Sequence, residues 1–160
     1  ILCAKFRKGH FEGVIDVMDR LTALIKPKKI YMGEKDFQQL YLVKNYIKKK
    51  HKTTIICCKT IRDKNELALS SRNLLLNSKE LIKAGKLTQS WIFFKKYLIK
   101  KKNINKLVNI KRKKLSKIFN IKIEYLELRN KINLRKTNKL KSSKLFVAYY
   151  INKIRLIDNF

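Results

Sequence analysis

Proline occurs once in these 160 residues, glycine four times and cysteine three times, and 11 acidic residues stand against 41 Lys and Arg. Each shortage excludes something. Four glycines rule out collagen-like and Gly/Ser-linker chains. The three cysteines, Cys57 and Cys58 adjacent and Cys3 distant, make neither a disulfide framework nor a metal knuckle, so a reducing cytoplasm is the plain reading. No apolar run approaches the roughly 18 residues that span a membrane. No signal peptide is expected. The first residue is Ile, and residues 1–13 already read as the interior of a fold. The expectation is therefore the C-terminal part of something longer.

What is present is 45% hydrophobic residues, too many and too evenly spread for disorder, and a formal net charge of +30. The charge is mostly lysine: 33 Lys against 8 Arg, beside 20 Ile and 13 Asn. Those three residue types share A/T-rich codons, so a biased genome yields this composition without any polyanionic partner. The lysine runs at 48–52, 95–102 and 111–117 fall on helices or helix ends and read as solvated faces.

Val14, Val17, Met18, Leu21 and Ile25 share one helical face within residues 14–26, and Pro27 ends that helix. Residues 29–32 form a short strand running into Gly33. Asp36 can cap a helix over 37–50 with Phe37, Leu40, Val43, Tyr46 and Ile47 on one side. Residues 53–58 are β-branched and apolar, the pattern of a buried strand. Helix, strand, helix and strand in sequence predict a parallel α/β unit. Residues 59–73 are polar and loop-like. Asn77 or Ser78 then caps a helix through Trp91 towards Lys101, and a second helix covers 104–118. Strands follow at 121–129, which alternates apolar and polar, at 145–151 and at 153–157. The predicted organisation is an α/β domain over 1–62 and a small α+β domain with a three-stranded antiparallel sheet over 63–160.

Three segments carry candidate chemistry. Gly33-Glu34-Lys35-Asp36-Phe37-Gln38-Gln39 sits at the C-terminal end of a parallel strand and opens a helix, where open α/β sheets bind ligands and helix amides favour anions. Lys35 offers a mobile ammonium there, and Gln39 an amide that can donate to and accept from a hydroxy acid. The plain alternative is a turn whose charges are only solvated. Leu69-Ser70-Ser71-Arg72-Asn73 offers two hydroxyls and a guanidinium suited to a triphosphate, or else a cap and a surface arginine. Arg7-Lys8-Gly9-His10-Phe11-Glu12-Gly13 reads as a shaped loop before a helix. Its His10 is a general base, a substrate ligand or a structural residue, and a single His is no metal site. His51 lies in a lysine run and carries no motif.

Taken with Tyr-Leu-Glu-Leu-Arg (125–129) and Arg-Leu-Ile-Asp-Asn (155–159), these segments resemble, in order and spacing along essentially the whole chain, the pantoate–β-alanine ligase family. The resemblance implies a partial Rossmann-like nucleotide-binding domain, related to class I aminoacyl-tRNA synthetases, followed by the α+β domain. It implies a cytoplasmic homodimer acting on pantoate, β-alanine and ATP with Mg²⁺. Pantoate attacks the α-phosphorus to give pantoyl adenylate and pyrophosphate, and β-alanine then displaces AMP. Carried over by position, Gly33, Glu34, Lys35, Asp36, Ile61, Leu69, Ser70, Ser71 and Arg72 contact ATP, with Lys35 and Arg72 stabilising phosphate charge. Gln39, Val14, Val17, Arg7 and His10 border pantoate.

The departures are as telling. The family's glycine-rich turn with two histidines precedes this region, so the chain alone is expected to be incomplete, with an N-terminal half encoded separately or missing. Lys8 and Lys59 stand where the family usually has Pro. Asn65-Glu66 replaces Asp-Gly, which should stiffen a mobile loop. A basic nucleic-acid-binding protein and an inactive remnant needing a partner are the alternatives. No specific nucleic acid is expected, because lysine is a point charge and gives few bidentate base contacts. DNA binding should accordingly be weak, without sequence preference, and cut by orders of magnitude between about 50 and 200 mM salt. A titration against two unrelated duplexes at both salts checks this, and nanomolar selective binding near physiological salt would contradict it.

Overall fold

The computed structural model describes residues 1–160, which divide into two compact units, Ile1–Thr60 and Ile61–Phe160. In the first unit a short 3-10 turn, Leu2–Lys5, leads to helix α1 (His10–Ile25), strand β1 (Lys29–Gly33), a 3-10 turn (Glu34–Asp36), helix α2 (Phe37–Lys50) and strand β2 (Thr54–Cys58). β1 and β2 pair in parallel, from Lys29 opposite Thr54 to Gly33 opposite Cys58. Parallel strands need a crossover, and α2 is that crossover. Leu40, Val43 and Ile47 of α2 bury against Ile55, joined by Val14, Met18, Ile30, Met32, Phe37 and Tyr46.

Several expectations change here. α1 begins at His10, so Gly13 lies inside the helix. The shaped loop shrinks to Gly9, which takes the left-handed conformation (φ 72°) at the cap. The face predicted on α1 divides: Val14 and Met18 reach the core, whereas Val17, Leu21 and Ile25 are exposed, as is Leu24 at 80%. β2 is not a buried strand. Only Ile55 is buried: Thr54 and Cys58 lie on the face that α2 leaves uncovered, and Cys57, on the covered face, is exposed as well.

The ends of α1 and α2 are tied by a polar cluster that local pattern did not announce. Asp19 Oδ1 lies 2.6 Å from His51 Nε2, and Lys50 Nζ donates to Asp19 Oδ2 at 2.5 Å. The Tyr46 hydroxyl donates to the same Oδ2 at 3.3 Å. The hydrogen bonds from Lys50, then His51, hold the Asp19 carboxyl down from its ordinary 3.8 to about 2.

In the second unit, residues 61–70 form a small hairpin bridged at Arg62 and Ala68, followed by a 3-10 turn over Ser71–Leu75. Helix α3 (Ser78–Tyr97) starts with a reciprocal cap: Glu80 N donates to Asn77 Oδ1 at 3.0 Å and Asn77 N to Glu80 Oε2 at 2.8 Å. α3 stops at Tyr97 and does not reach Lys101. Leu98 turns fully into the core, and Lys100 reverses the chain in a left-handed conformation. Helix α4 (Ile104–Ile118) precedes strands β3 (Lys122–Asn130), β4 (Ser143–Ile151) and β5 (Ile154–Asn159), antiparallel in the order β3-β4-β5. The core joins Leu87, Trp91 and Leu98 of α3 to Val108 and Leu115 of α4 and to Leu126, Leu128, Val147 and Tyr149 of the sheet. Trp91 meets Tyr149 edge-on, with centroids 4.7 Å apart.

The predicted strict alternation in β3 breaks at Glu124, an extra residue between the pairs Ile123–Tyr149 and Tyr125–Ala148. Burial works to raise the Glu124 carboxyl, but hydrogen bonds and charge from Arg155 outweigh it and hold it below the usual range.

The Asp19 cluster yields a pH prediction for the first unit. A carboxyl whose folded value is depressed contributes stability fully present above about pH 4 and lost as the pH falls towards 2. Asp19→Asn is expected to lower the unit's stability at neutral pH and to flatten its loss between pH 4 and 2. Denaturant midpoints across that range check this, and parallel curves for variant and parent would contradict it.

Candidate functional site

β1 ends at Gly33, and the 3-10 turn Glu34–Asp36 passes straight into α2, which places residues 33–39 at the C-terminal edge of the parallel pair. Gly33 has open space around its α-carbon, with nothing within 4 Å of where a side chain would begin. Asp36 occupies the cap position of α2, but its side chain makes no capping bond. Its carboxylate instead accepts from Lys35 Nζ at 3.1 Å. Lys35 is therefore not a mobile ammonium: its side chain is 17% exposed and held beside Asp36.

The two glutamines behave differently. Gln38 is buried and structural, its Oε1 accepting from Cys3 N at 3.0 Å and its Nε2 donating to Ile1 O at 2.9 Å. Gln39 is half-buried and makes none of these bonds, so its amide remains available to a ligand. Val14 is half-buried against the core and Val17 is 54% exposed on α1. Arg7 is exposed before Gly9, and the His10 ring rests on Phe11 with centroids 4.9 Å apart.

The second segment is built within the second unit. Leu69 N donates to Ile61 O at 3.0 Å, closing the hairpin and engaging the backbone carbonyl of Ile61. Ser70 Oγ accepts from Arg72 N at 3.3 Å, and Asn73 Nδ2 donates to Ala68 O at 3.0 Å. Leu69 and Ser71 are exposed, Ser70 and Arg72 half-buried. Arg72 Nη1 lies 3.5 Å from Arg155 O on β5. Within the hairpin, Asp63 Oδ1 accepts from Asn65 N and Leu67 N at 2.8 and 2.9 Å.

The motif at 125–129 proves structural. Arg129 is buried, pairs with Glu127 and donates from Nη1 to Leu134 O at 2.6 Å, anchoring the connection between β3 and β4. No group of three His, Cys, Asp or Glu side chains comes together as a metal site, so the donor set does not build a magnesium cage.

The family model described as pantoate-β-alanine ligase matches residues 1–160. The chain belongs to the pantoate-β-alanine ligase family. It is 41% identical over 162 residues to a pantothenate synthetase of Clostridium botulinum, covering 99% of this chain and 58% of that protein. Among solved structures it matches pantothenate synthetase from Thermus thermophilus with a TM-score of 0.88 at 27% identity, over 100% of this chain and 59% of that one. A ligase from Francisella tularensis, crystallised with β-γ ATP and β-alanine, matches with a TM-score of 0.72 at 35% identity, over 100% and 53%. The chain thus spans a little over half the length of the relatives it matches. In this ligase family the observed α/β unit is the partial Rossmann-like fold and the second unit the α+β domain that the motifs implied.

The hairpin tip carries one local misfit. Glu66 sits at φ 67°, in the left-handed region that costs a side-chain-bearing residue about 1–2 kcal/mol. This is the position where the resemblance has glycine. Glu66→Gly is expected to stabilise the second unit by about 0.5–1 kcal/mol, the relieved strain exceeding the added freedom of the unfolded chain. Urea unfolding measures this, and a loss of more than about 0.5 kcal/mol would contradict it.

Proposed function

We propose that this chain carries part of the ATP and pantoate site of a pantoate–β-alanine ligase. The observation that carries the reading is the turn at residues 33–39: an open glycine, a held lysine and an unengaged glutamine at the C-terminal edge of a parallel strand. The backbone at Gly33, Glu34 and Asp36 takes the nucleotide. The Lys35 ammonium shifts its partner from the Asp36 carboxylate to a phosphate oxygen. On the second unit, Ser70, Ser71 and Arg72 serve as phosphate contacts, and the backbone at Ile61 and Leu69 meets the nucleotide.

In the reaction a carboxylate oxygen of pantoate attacks the α-phosphorus of ATP, and the bond to the β-phosphate oxygen breaks. Pyrophosphate leaves carrying the electron pair, and Lys35 and Arg72 stabilise the charge that develops on it. Gln39 orients pantoate, with Val14, Val17, Arg7 and His10 at its border. The amine of β-alanine then adds to the carbonyl carbon of the mixed anhydride, loses a proton, and AMP departs. Magnesium would come with the ATP and would offset charge on its phosphates.

The apolar stripe of Val17, Leu21, Leu24 and Ile25 supports a further part of the reading. It is the seat of the N-terminal portion that the longer relatives carry, in the same chain or another, which completes both substrate sites. A homodimer and a cytoplasmic location go with this reading. Nucleic-acid binding has only the charge in its favour.

The test is pantoate-dependent exchange of labelled pyrophosphate into ATP, measured for the chain alone and combined with the N-terminal portion of a longer relative. Lys35→Ala is expected to lower exchange by about 10²–10³-fold, as loss of one positioned electrostatic group does. Gln39→Ala should act mainly by raising the pantoate KM. Unchanged exchange in Lys35→Ala would overturn the assignment of this turn.

A further inference from the structure

We propose that Arg62 is a positioning residue that locks the Leu69–Arg72 segment onto β5 through a fork on Asp158, and so sets the pose of the Arg72 guanidinium. The proposal rests on the reading of that segment as a phosphate contact.

One guanidinium gathers three pieces of chain. Nη1 donates to Asp158 Oδ2 at 2.7 Å and Nη2 to Asp158 Oδ1 at 3.0 Å, two parallel bonds of the bidentate kind. Nη1 also donates to Glu66 O at 2.8 Å at the hairpin tip, and Nη2 to Asn159 O at 3.3 Å at the end of β5. The guanidinium carbon lies 4.9 Å from the centre of the Phe160 ring. The Asp158 side chain is 4% exposed and that of Arg62 19%, so the pair is shielded from water.

What the fork holds continues into the segment. Arg62 pairs with Ala68, Leu69 with Ile61, and Asn73 with both Ala68 and Ser70. Arg72 then returns to β5 at Arg155 O, three residues from Asp158. The same strand is gripped at both ends, about 10 Å apart for three extended residues. Arg155 is itself fixed, its Nη2 bonded to Glu124 Oε1 at 2.5 Å. The hairpin's other side presses on α3 at Gly85, where an added β-carbon would lie 2.7 Å from Asn65 Cβ and 3.2 Å from Asn65 O. Seated between α3 and β5, the hairpin has its position set by Arg62. A lysine would keep the charge but lose the fork and the guanidinium's contact with the Phe160 ring.

The test compares the full chain with Arg62→Lys, Arg62→Ala and Asp158→Asn by amide hydrogen exchange and by calorimetric titration with ATP. Both Arg62 variants are expected to speed exchange across residues 67–73 by about tenfold or more, with β3 and β4 amides unchanged. ATP binding should weaken by about tenfold in the same variants, with Asp158→Asn between them and the parent. Full rescue of exchange and affinity by Arg62→Lys would overturn the proposal in favour of charge alone. Weakened ATP binding with unchanged exchange would also overturn it, since Arg62 would then meet the nucleotide itself. If Arg62→Ala exposes β3 and β4 throughout, Arg62→Lys decides. A parent chain that binds no ATP sinks the reading of the segment as a phosphate contact, and the exchange measurement still decides the lock.

Discussion

A parallel pair of strands cannot be closed by a tight turn, and the first unit is organised around that constraint. The chain must return over the sheet through α2, and the only residues left to make the departure are those at the C-terminal end of β1. Gly33 through Gln39 therefore occupy that edge, with Gly33 and Asp36 exposed and Phe37 and Gln38 turned inward. The same crossover decides what is buried: Leu40, Val43 and Ile47 close on Ile55 from one side, and the other face of the sheet keeps Tyr31 and Cys58 in the open. Tying α1 to the far end of α2, the Asp19 carboxylate with Lys50 and His51 holds the crossover from its other end.

The second unit solves a different problem, that of fixing a polar segment with little hydrophobic content of its own. Residues 61–73 contribute Leu67 and Ala68 to the interior, and the rest is held by polar bonds: Asp63 closing the tip, Arg62 gripping Asp158, and Asn73 closing back on Ala68. Burying Asp158 is tolerable because its charge is matched by a guanidinium with two parallel donors. A segment secured this way is ordered by directional contacts, which suits a contact for a charged ligand better than a greasy clasp would.

Much of this was readable beforehand, for identifiable reasons. α2 and α4 show in the 3.6-residue spacing of Leu40, Val43 and Ile47 and of Ile104, Val108 and Leu115, and the α3 start shows in Asn77 with Glu80 three residues on. The 33–39 and 69–73 segments were legible as motifs because glycine, charge and hydroxyls crowd at predicted element ends. Contacts across long stretches of chain were not. Asp19 meets His51 across 32 residues and Arg62 meets Asp158 across 96, and nothing local marks either partner. The structural role of Gln38 carried no local sign, because it lies roughly opposite Leu40 around α2, on the side that periodicity assigns to solvent. That side is covered by the turn at Ile1–Cys3. The bulge at Glu124 was hidden because one extra residue shifts the alternation without changing composition.

The two-stranded sheet leaves an outer edge on each of its strands, with apolar Ile30 and Ile56 among their residues. Such edges are templates for pairing with another copy. Lysines stand at their ends: Lys28 and Lys29 open β1, and Lys52 and Lys59 bracket β2. Charge at strand ends disfavours such pairing, on a chain already carrying +30. That disfavour is electrostatic, so it relaxes as counterions shield the lysines.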